Sequence, residues 1–303
     1  MFHVKQLPLE NITECPFCQS AGFEKHLEAQ DYLTEFGIFS IVVCNECGLL
    51  FTNPRPVPEA ISSVYPSSKY LSHQNQKNTL FERVYFGAQK LMLKRKHTLV
   101  NKLVNPQSAL LDIGCGIGNY ASFMSSKGYY MVGIEPSTEA RAVSKTKGFK
   151  VFESLKEYHS SNLSKPQLIS LWHVLEHQPN PFESLAQYYE MLPLNGWLII
   201  AVPQYQSLDA RFYKNKWAAY DLPRHLFHFS EKSLNRAAEN AGFVHHKTIG
   251  MPFDAFYVSL LSQNNVKSLL GLPNALLIGF ASNFVAWLRL RPWSSQIFVF
   301  QKR

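Results

Sequence analysis

The sequence predicts an α/β domain on a mainly parallel sheet, with a small cysteine-rich segment before it and a helical insertion before its last strand. Three observations lead there. The apolar run Ala109 to Ile113 breaks into the turn Gly114-Cys115-Gly116-Ile117-Gly118, the pattern of a buried strand turning sharply into a helix. Short apolar runs then alternate with helical stretches up to Gly250, as βαβ units require. Four of the five cysteines form two C-x-x-C pairs, Cys15/Cys18 and Cys44/Cys47. With 303 residues, 46% of them hydrophobic, the chain can bury one large core with an appendage, which argues against intrinsic disorder.

The net charge of +8 suits an anionic partner such as nucleic acid, a membrane surface or a phosphorylated substrate, and equally suits a solubilising surface. The opening Met1 to Gln6 has no apolar core followed by small residues. No signal peptide is therefore expected, and the expected setting is cytoplasmic, with the inner face of a membrane as a peripheral location. In a reducing compartment, paired cysteines serve better as metal ligands than as disulfides. Four thiolates surround a tetrahedral zinc and leave no position for water, so a structural ion is expected at Cys15, Cys18, Cys44 and Cys47. The alternation from Phe36 to Val43 predicts a hairpin between the pairs. Prolines 54, 56, 58 and 66 stiffen a connector, which places a boundary near residue 75 between a segment 1–75 and a domain 76–303. Apolar spacing through Phe81, Met92, Leu99 and Leu103 predicts one amphipathic helix over 78–104, with Lys90, Lys94, Arg95 and Lys96 on a solvated face.

The G-x-G-x-G spacing differs from the G-x-G-x-x-G of dinucleotide folds, and Asp112 at the turn would repel a pyrophosphate. The expected ligand is a nucleoside carrying positive charge. The stretch 112–120, DIGCGIGNY, resembles the cofactor loop of class I S-adenosylmethionine-dependent methyltransferases. The resemblance covers about residues 105–250 and implies a Rossmann-like seven-stranded sheet with S-adenosylmethionine (SAM) as cofactor. It places Asp112 near the amino group of the methionine moiety. Glu135, at the end of the strand from Tyr130, is expected to accept hydrogen bonds from both ribose hydroxyls. The backbone at Gly114, Gly116 and Gly118 approaches the cofactor. Cys115, a packing residue inside the loop, and Trp172, at the end of the strand from Leu168, are grouped with this set. Cys44 to Pro56 is similar to the zinc-bearing leader of certain sugar methyltransferases.

The segment His173-Val174-Leu175-Glu176-His177 follows the fourth strand, and ligand crevices of open α/β sheets lie at such ends. In a helical turn, positions 173, 176 and 177 would share a face. One reading, the favoured one, makes Glu176 and His177 scaffold. The other makes His173, Glu176 and His177 a divalent-cation site, because the segment is similar to the E-x-x-E-H motif of metal-dependent quinol O-methyltransferases with His173 in place of the first Glu. Such an ion would acidify a substrate hydroxyl. Leu222-Pro223-Arg224-His225-Leu226, with His228, resembles a loop that borders the acceptor pocket in related enzymes. Arg224 and His225 are candidate pocket residues, His225 is the expected catalytic base and His173 competes with it. Methyl transfer proceeds in line without a covalent enzyme intermediate, so no nucleophilic Ser or Cys is expected. Asn180 is read as the cap of a helix beginning at Pro181, and Ser230 as the cap of one ending near Gly242.

About 45 residues separate Val244–Gly250 from the last strand, Gln296 to Phe300, and Ser268 to Leu288 carries no charge. Pro273, Asn274, Ser282 and Asn283 interrupt this run, and a spanning helix would strand the last strand across the bilayer. Residues 252–293 are therefore expected to form a helical lid, or helices in a membrane interface with Trp287, Arg289, Arg291 and Trp293 at the boundary. The activity read from all this is methylation of a hydroxyl, ahead of a carbon, on a small-molecule, sugar or lipid-linked acceptor. An RNA methyltransferase ranks lower, because the fourth strand ends in Trp-His rather than Asn/Asp-Pro-Pro-Tyr/Phe and aromatics are not interleaved with basic residues. A non-catalytic binder on the same scaffold is the third reading. The oligomeric state stays open.

Overall fold

The computed structural model describes residues 7–65, 80–266 and 271–303. The boundary near residue 75, the first two residues of the expected 78–104 helix and the start of the uncharged run lie outside them. The leader holds β1 (Leu9–Glu10), β2 (Phe23–Gln30), β3 (Ile38–Cys44), β4 (Leu50–Thr52) and β5 (Arg55–Pro56). Helix α1 (Leu80–Asn101) leads into β6 (Ala109–Ile113), α2 (Asn119–Ser125), β7 (Tyr130–Ile134), α3 (Thr138–Lys145), β8 (Lys150–Phe152) and α4 (Leu155–His159). There follow β9 (Leu168–Trp172), α5 (Pro181–Met191), β10 (Trp197–Pro203), α6 (Leu208–Tyr213), β11 (Phe227–His228), α7 (Glu231–Asn240) and β12 (Phe243–Gly250). The insertion is α8 (Pro252–Val266) and α9 (Gly271–Trp287), and β13 (Ser295–Lys302) closes the chain.

The seven-stranded sheet runs β12-β13-β10-β9-β6-β7-β8, with β13 antiparallel to both of its neighbours. Successive residues on its central strands enter opposite cores, as the period of two demands. Leu111, Ile200 and Phe298 join one core and Leu110, Ile199 and Val299 the other, all at most 1% exposed. Burial of this kind stabilises by about 1.5–3 kcal/mol per large side chain. Ser230 caps α7 in a capping box with Ser233, as read. Asn180 makes no side-chain cap bond, and Pro181 alone marks the start of α5.

The leader is tied into the domain that follows it. A second sheet runs β11-β4-β3-β2, so the leader's β4 pairs with a strand contributed by the loop 222–228, Phe227 opposite Phe51 and His228 opposite Leu50. The Thr52 amide donates to Leu226 O at 2.9 Å, and its hydroxyl donates to His225 O at 2.7 Å. A third core joins Phe39, Ile41 and Leu50 of the leader to Trp217 and Leu222 of the loop and to Val258 and Ile278 of the insertion. These three segments form one wall beside the ends of β9 and β10.

Candidate active site

The glycine turn follows β6 directly, and Gly118, with φ 76°, starts α2 in the left-handed region that glycine enters without strain. A Cβ at Gly118 would meet Ser144 Oγ at 2.3 Å, whereas Gly116 (φ +54°) faces open space, where a ligand can approach the backbone. Glu135, just past β7, is buried. Its two carboxylate oxygens accept the amides of Gly116 and Ser137, each at 2.8 Å, which locks the turn to the second strand and leaves lone pairs for hydroxyls. Burial raises its carboxyl above the ordinary value. Cys115 turns inward against Ser144 and Gly133, and burial, with Asp112 nearby, pushes its thiol up to about 12.

Asp112 is 2% exposed and accepts a hydrogen bond from Ser170 Oγ at 2.7 Å. Burial pushes its carboxyl up to about 7, against the Ser170 bond and the charge of Lys96. Lys96 is the residue that sequence reasoning misplaced. It does not sit on a solvated face of α1: its Nζ lies 3.8 Å from the Trp172 ring centroid, over the crevice, within the field of Asp112 and Asp254. Burial pulls its ammonium down to about 8 while those two carboxylates oppose the shift. Trp172 packs edge-on to Tyr120, centroids 5.3 Å apart, and Trp172 Nε1 and Tyr120 Oη are buried with no hydrogen-bond partner among the described residues. A cationic, hydroxyl-rich nucleoside fits this set: two carboxylates, a cation, orphaned donors and an open glycine backbone.

Beyond β9 the chain bends at His173, whose φ of 56° is left-handed, and makes a single 3-10 turn at Leu175–His177 instead of a helix. His173 stands between two carboxylates, with Nε2 3.3 Å from Asp254 Oδ2 and Nδ1 3.6 Å from Glu176 Oε1. Its burial favours the neutral ring, but the two carboxylates outweigh it and raise the imidazolium pKa to about 9. Asp254, at the start of α8, had no signal in the sequence; only the insertion's return over the crevice brings it here. Glu176 is 1% exposed, and neither of its oxygens has a hydrogen-bond partner among the described residues. One of those oxygens and one ring nitrogen each of His177 and His225 lie within 4.8 Å of one another. His225, from the loop 222–228, thus joins Glu176 and His177, while the Nε2 of His173 turns to Asp254.

Arg224 is 4% exposed and points away from the crevice, into the seam between loop and leader. Its Nη2 donates to Asp221 Oδ1 at 2.6 Å, and Nη1 and Nη2 each reach Asp31 Oδ1 at 3.3 Å. Burial opposes the guanidinium's charge, but Asp221 and Asp31 raise its pKa regardless. His225 donates from Nδ1 to Ala219 O at 2.9 Å, and burial above all holds its pKa well below the usual histidine range. Burial likewise brings His228 down to about 3.

Across the leader, the four thiols of Cys15, Cys18, Cys44 and Cys47 lie within 4.8 Å of one another, with Sγ–Sγ contacts of 3.6 Å (Cys15–Cys47) and 3.5 Å (Cys18–Cys44). Burial works against the Cys44 thiolate, yet the Cys47 and Glu46 amides bring it down to about 7. Thiols with amides aimed at sulfur form a donor set that can hold a tetrahedral ion such as zinc.

The insertion carries its polar residues inward. Ser282 Oγ and Ser294 Oγ each donate to the fully buried Asp209 at 2.7 Å, and Trp217 Nε1 donates to it at 2.8 Å. Gly279 lets α9 press on Phe256 of α8. The outer face is apolar: Leu277, Phe280, Phe284 and Trp287 are 64%, 66%, 59% and 69% exposed. Among the described residues, no helix is long and apolar enough to cross a membrane.

A family model described as a methyltransferase domain matches residues 86–248. A search of curated proteins gave no significant match. Among solved structures, a mycolic acid cyclopropane synthase complexed with SAH and CTAB aligns with TM-score 0.52 at 14% identity, covering 78% of this chain and 94% of its own. A SAM-dependent methyltransferase from Archaeoglobus fulgidus aligns with TM-score 0.50 at 18% identity, covering 74% and 98%.

Proposed function

Given that the chain belongs to the class I SAM-dependent methyltransferases, we propose that it methylates a hydroxyl of a small amphiphilic acceptor, sugar- or lipid-linked, at a membrane surface. Glu135 would hold the ribose hydroxyls and Asp112 the methionine ammonium. Lys96, above Trp172 and in the field of Asp112, is suited to the methionine carboxylate, because an ammonium there would pair with it. With the cofactor so held, the residues at the ends of β9 and β10 would have two tasks, to position the acceptor in line and to remove its proton.

His173, charged near neutrality, is suited to orienting the acceptor rather than to taking its proton. That work falls to the neighbouring Glu176–His177–His225 group, where His225 is held neutral. Arg224 in this reading positions the loop. The cysteine cluster would hold a structural zinc, keeping β3 and β4 in place to pair the loop strand β11.

The observation that carries the choice of acceptor is the inverted polarity of the insertion. Its buried side binds Asp209 while its outer side shows aromatic and leucine side chains, and it delivers Asp254 into the crevice. An internal lid would not need that outer face. The test is radiolabelled methyl transfer from SAM to separated lipid, small-molecule and RNA fractions. Label in the lipid or amphiphile fraction, stable as an ether linkage, is expected; label confined to RNA would overturn the reading.

A further inference from the structure

We propose that Glu176, His177 and His225 together bind a divalent cation between the end of β9 and the acceptor loop. The ring geometry supplies the first reason. His177 Nδ1 lies 3.0 Å from Arg224 O, and His225 Nδ1 lies 2.9 Å from Ala219 O. A carbonyl can only accept, so both Nδ1 atoms carry the proton and both Nε2 atoms keep a lone pair. Outer carbonyls set metal-bound histidines in this way. The Tyr65 hydroxyl, 2.9 Å from His177 Nδ1, completes that ring's outer contacts.

The second reason is the carboxylate. Glu176 is buried, with both oxygens unpartnered among the described residues, and it converges with the two rings within 4.8 Å. Asp221 Oδ2, 3.9 Å from His225 Nε2, already accepts from Arg224 Nε at 3.0 Å and is not part of the cluster. A buried carboxylate that faces two ring lone pairs with no hydrogen-bond donor between them is a costly arrangement. His173 does not fully resolve this: its Nδ1 makes an ion pair with Glu176 Oε1 at 3.6 Å, longer than a hydrogen bond, and its Nε2 faces Asp254. A cation placed among the three ligands does.

Two imidazoles and one carboxylate suit zinc or another late first-row divalent ion better than magnesium or calcium. Three protein ligands leave a position open, and Glu176 and His225 both line a small internal cavity beside Trp217 and His228. On the hydroxyl-methylating reading above, an oxygen bound there would lose its proton near neutrality. Cation binding itself does not depend on that reading.

The test is metal content of the full chain, loaded with zinc and freed of excess by gel filtration. Two equivalents are expected in the wild type and one in Glu176→Gln and in His225→Gln, with SAM affinity measured alongside to show that the variants are folded. One equivalent in the wild type, or two retained in both variants, would overturn the proposal. Should the variants not fold, cobalt titration of the wild type decides. A second equivalent whose visible bands lack thiolate charge transfer supports the site, and its absence refutes it. Two equivalents in a chain that methylates no hydroxyl would leave the cation site standing and sink the functional reading.

Discussion

Asp112 and Lys96 share one buried field, and cofactor affinity should follow their protonation. The carboxyl is raised toward 7 by burial, so below that pH a proton must leave before it can pair with the methionine ammonium. SAM affinity should therefore fall as the pH drops through about 7, and Asp112→Asn should bind weakly with that dependence gone; calorimetry from pH 5.5 to 8 would show it. Lys96→Met should weaken SAM binding by about tenfold, about 1.4 kcal/mol, through loss of a charge-assisted contact while the methylene packing on Trp172 is kept. Unchanged affinity would remove Lys96 from the cofactor site. Lys96 reads in sequence as one of five lysines and arginines on a helix, and nothing local separates it from Lys94. The packing of α1 across the crevice does.

At the scale of elements, the seam between β4 and β11 decides whether the loop 222–228 exists in its present form. Arg224 is its anchor, reaching Asp31 across 193 residues of sequence. Arg224→Ala leaves the buried Asp31 and the half-buried Asp221 without their cation and should destabilise the fold by about 3–5 kcal/mol in urea titration. Burial opposes the Asp31 carboxylate, but hydrogen bonds from Thr34, Leu33 and Phe36 hold its pKa below 3.8. Its contribution is thus complete above pH 3.8 and is lost as the pH falls through the lowered value. The cysteine cluster acts on the same seam. Cys44→Ser, or chelation, should loosen β3 and β4, raise hydrogen exchange in residues 222–228 and abolish turnover while leaving SAM affinity within about twofold. Protection of that loop unchanged after metal removal would show that the leader does not support it.

Over the whole molecule, charge and apolar surface are segregated. After Asp254 the sequence has no Asp or Glu but carries Lys267, Arg289, Arg291, Lys302 and Arg303, and the exposed aromatic face of α9 ends at Arg289. A bilayer with anionic headgroups matches both features. Phe280→Glu with Phe284→Glu should lower co-flotation with anionic vesicles by at least about tenfold, since each side chain contributes about 1.5–3 kcal/mol when buried. SAM affinity should be unaffected. Equal flotation of variant and wild type would show that this face meets something other than lipid.

What the sequence determined by itself is local. Glycines at 114, 116 and 118, the acid at each strand end, the two C-x-x-C pairs and the period-two strands each act through backbone geometry and neighbours a few residues away, and each stands where it was read. Glu176 and His177 were legible as a polar pair at a strand end. Their third neighbour was not, because His173 sits in the left-handed region and turns to Asp254 while His225 arrives from a loop almost fifty residues on. The leader's tie to the acceptor loop, Arg224 as an anchor and the outward apolar face of the insertion were likewise decided only by tertiary structure. Those features depend on which segments close against each other, and the free energy of closure comes from burial and paired charges between residues that share no local pattern.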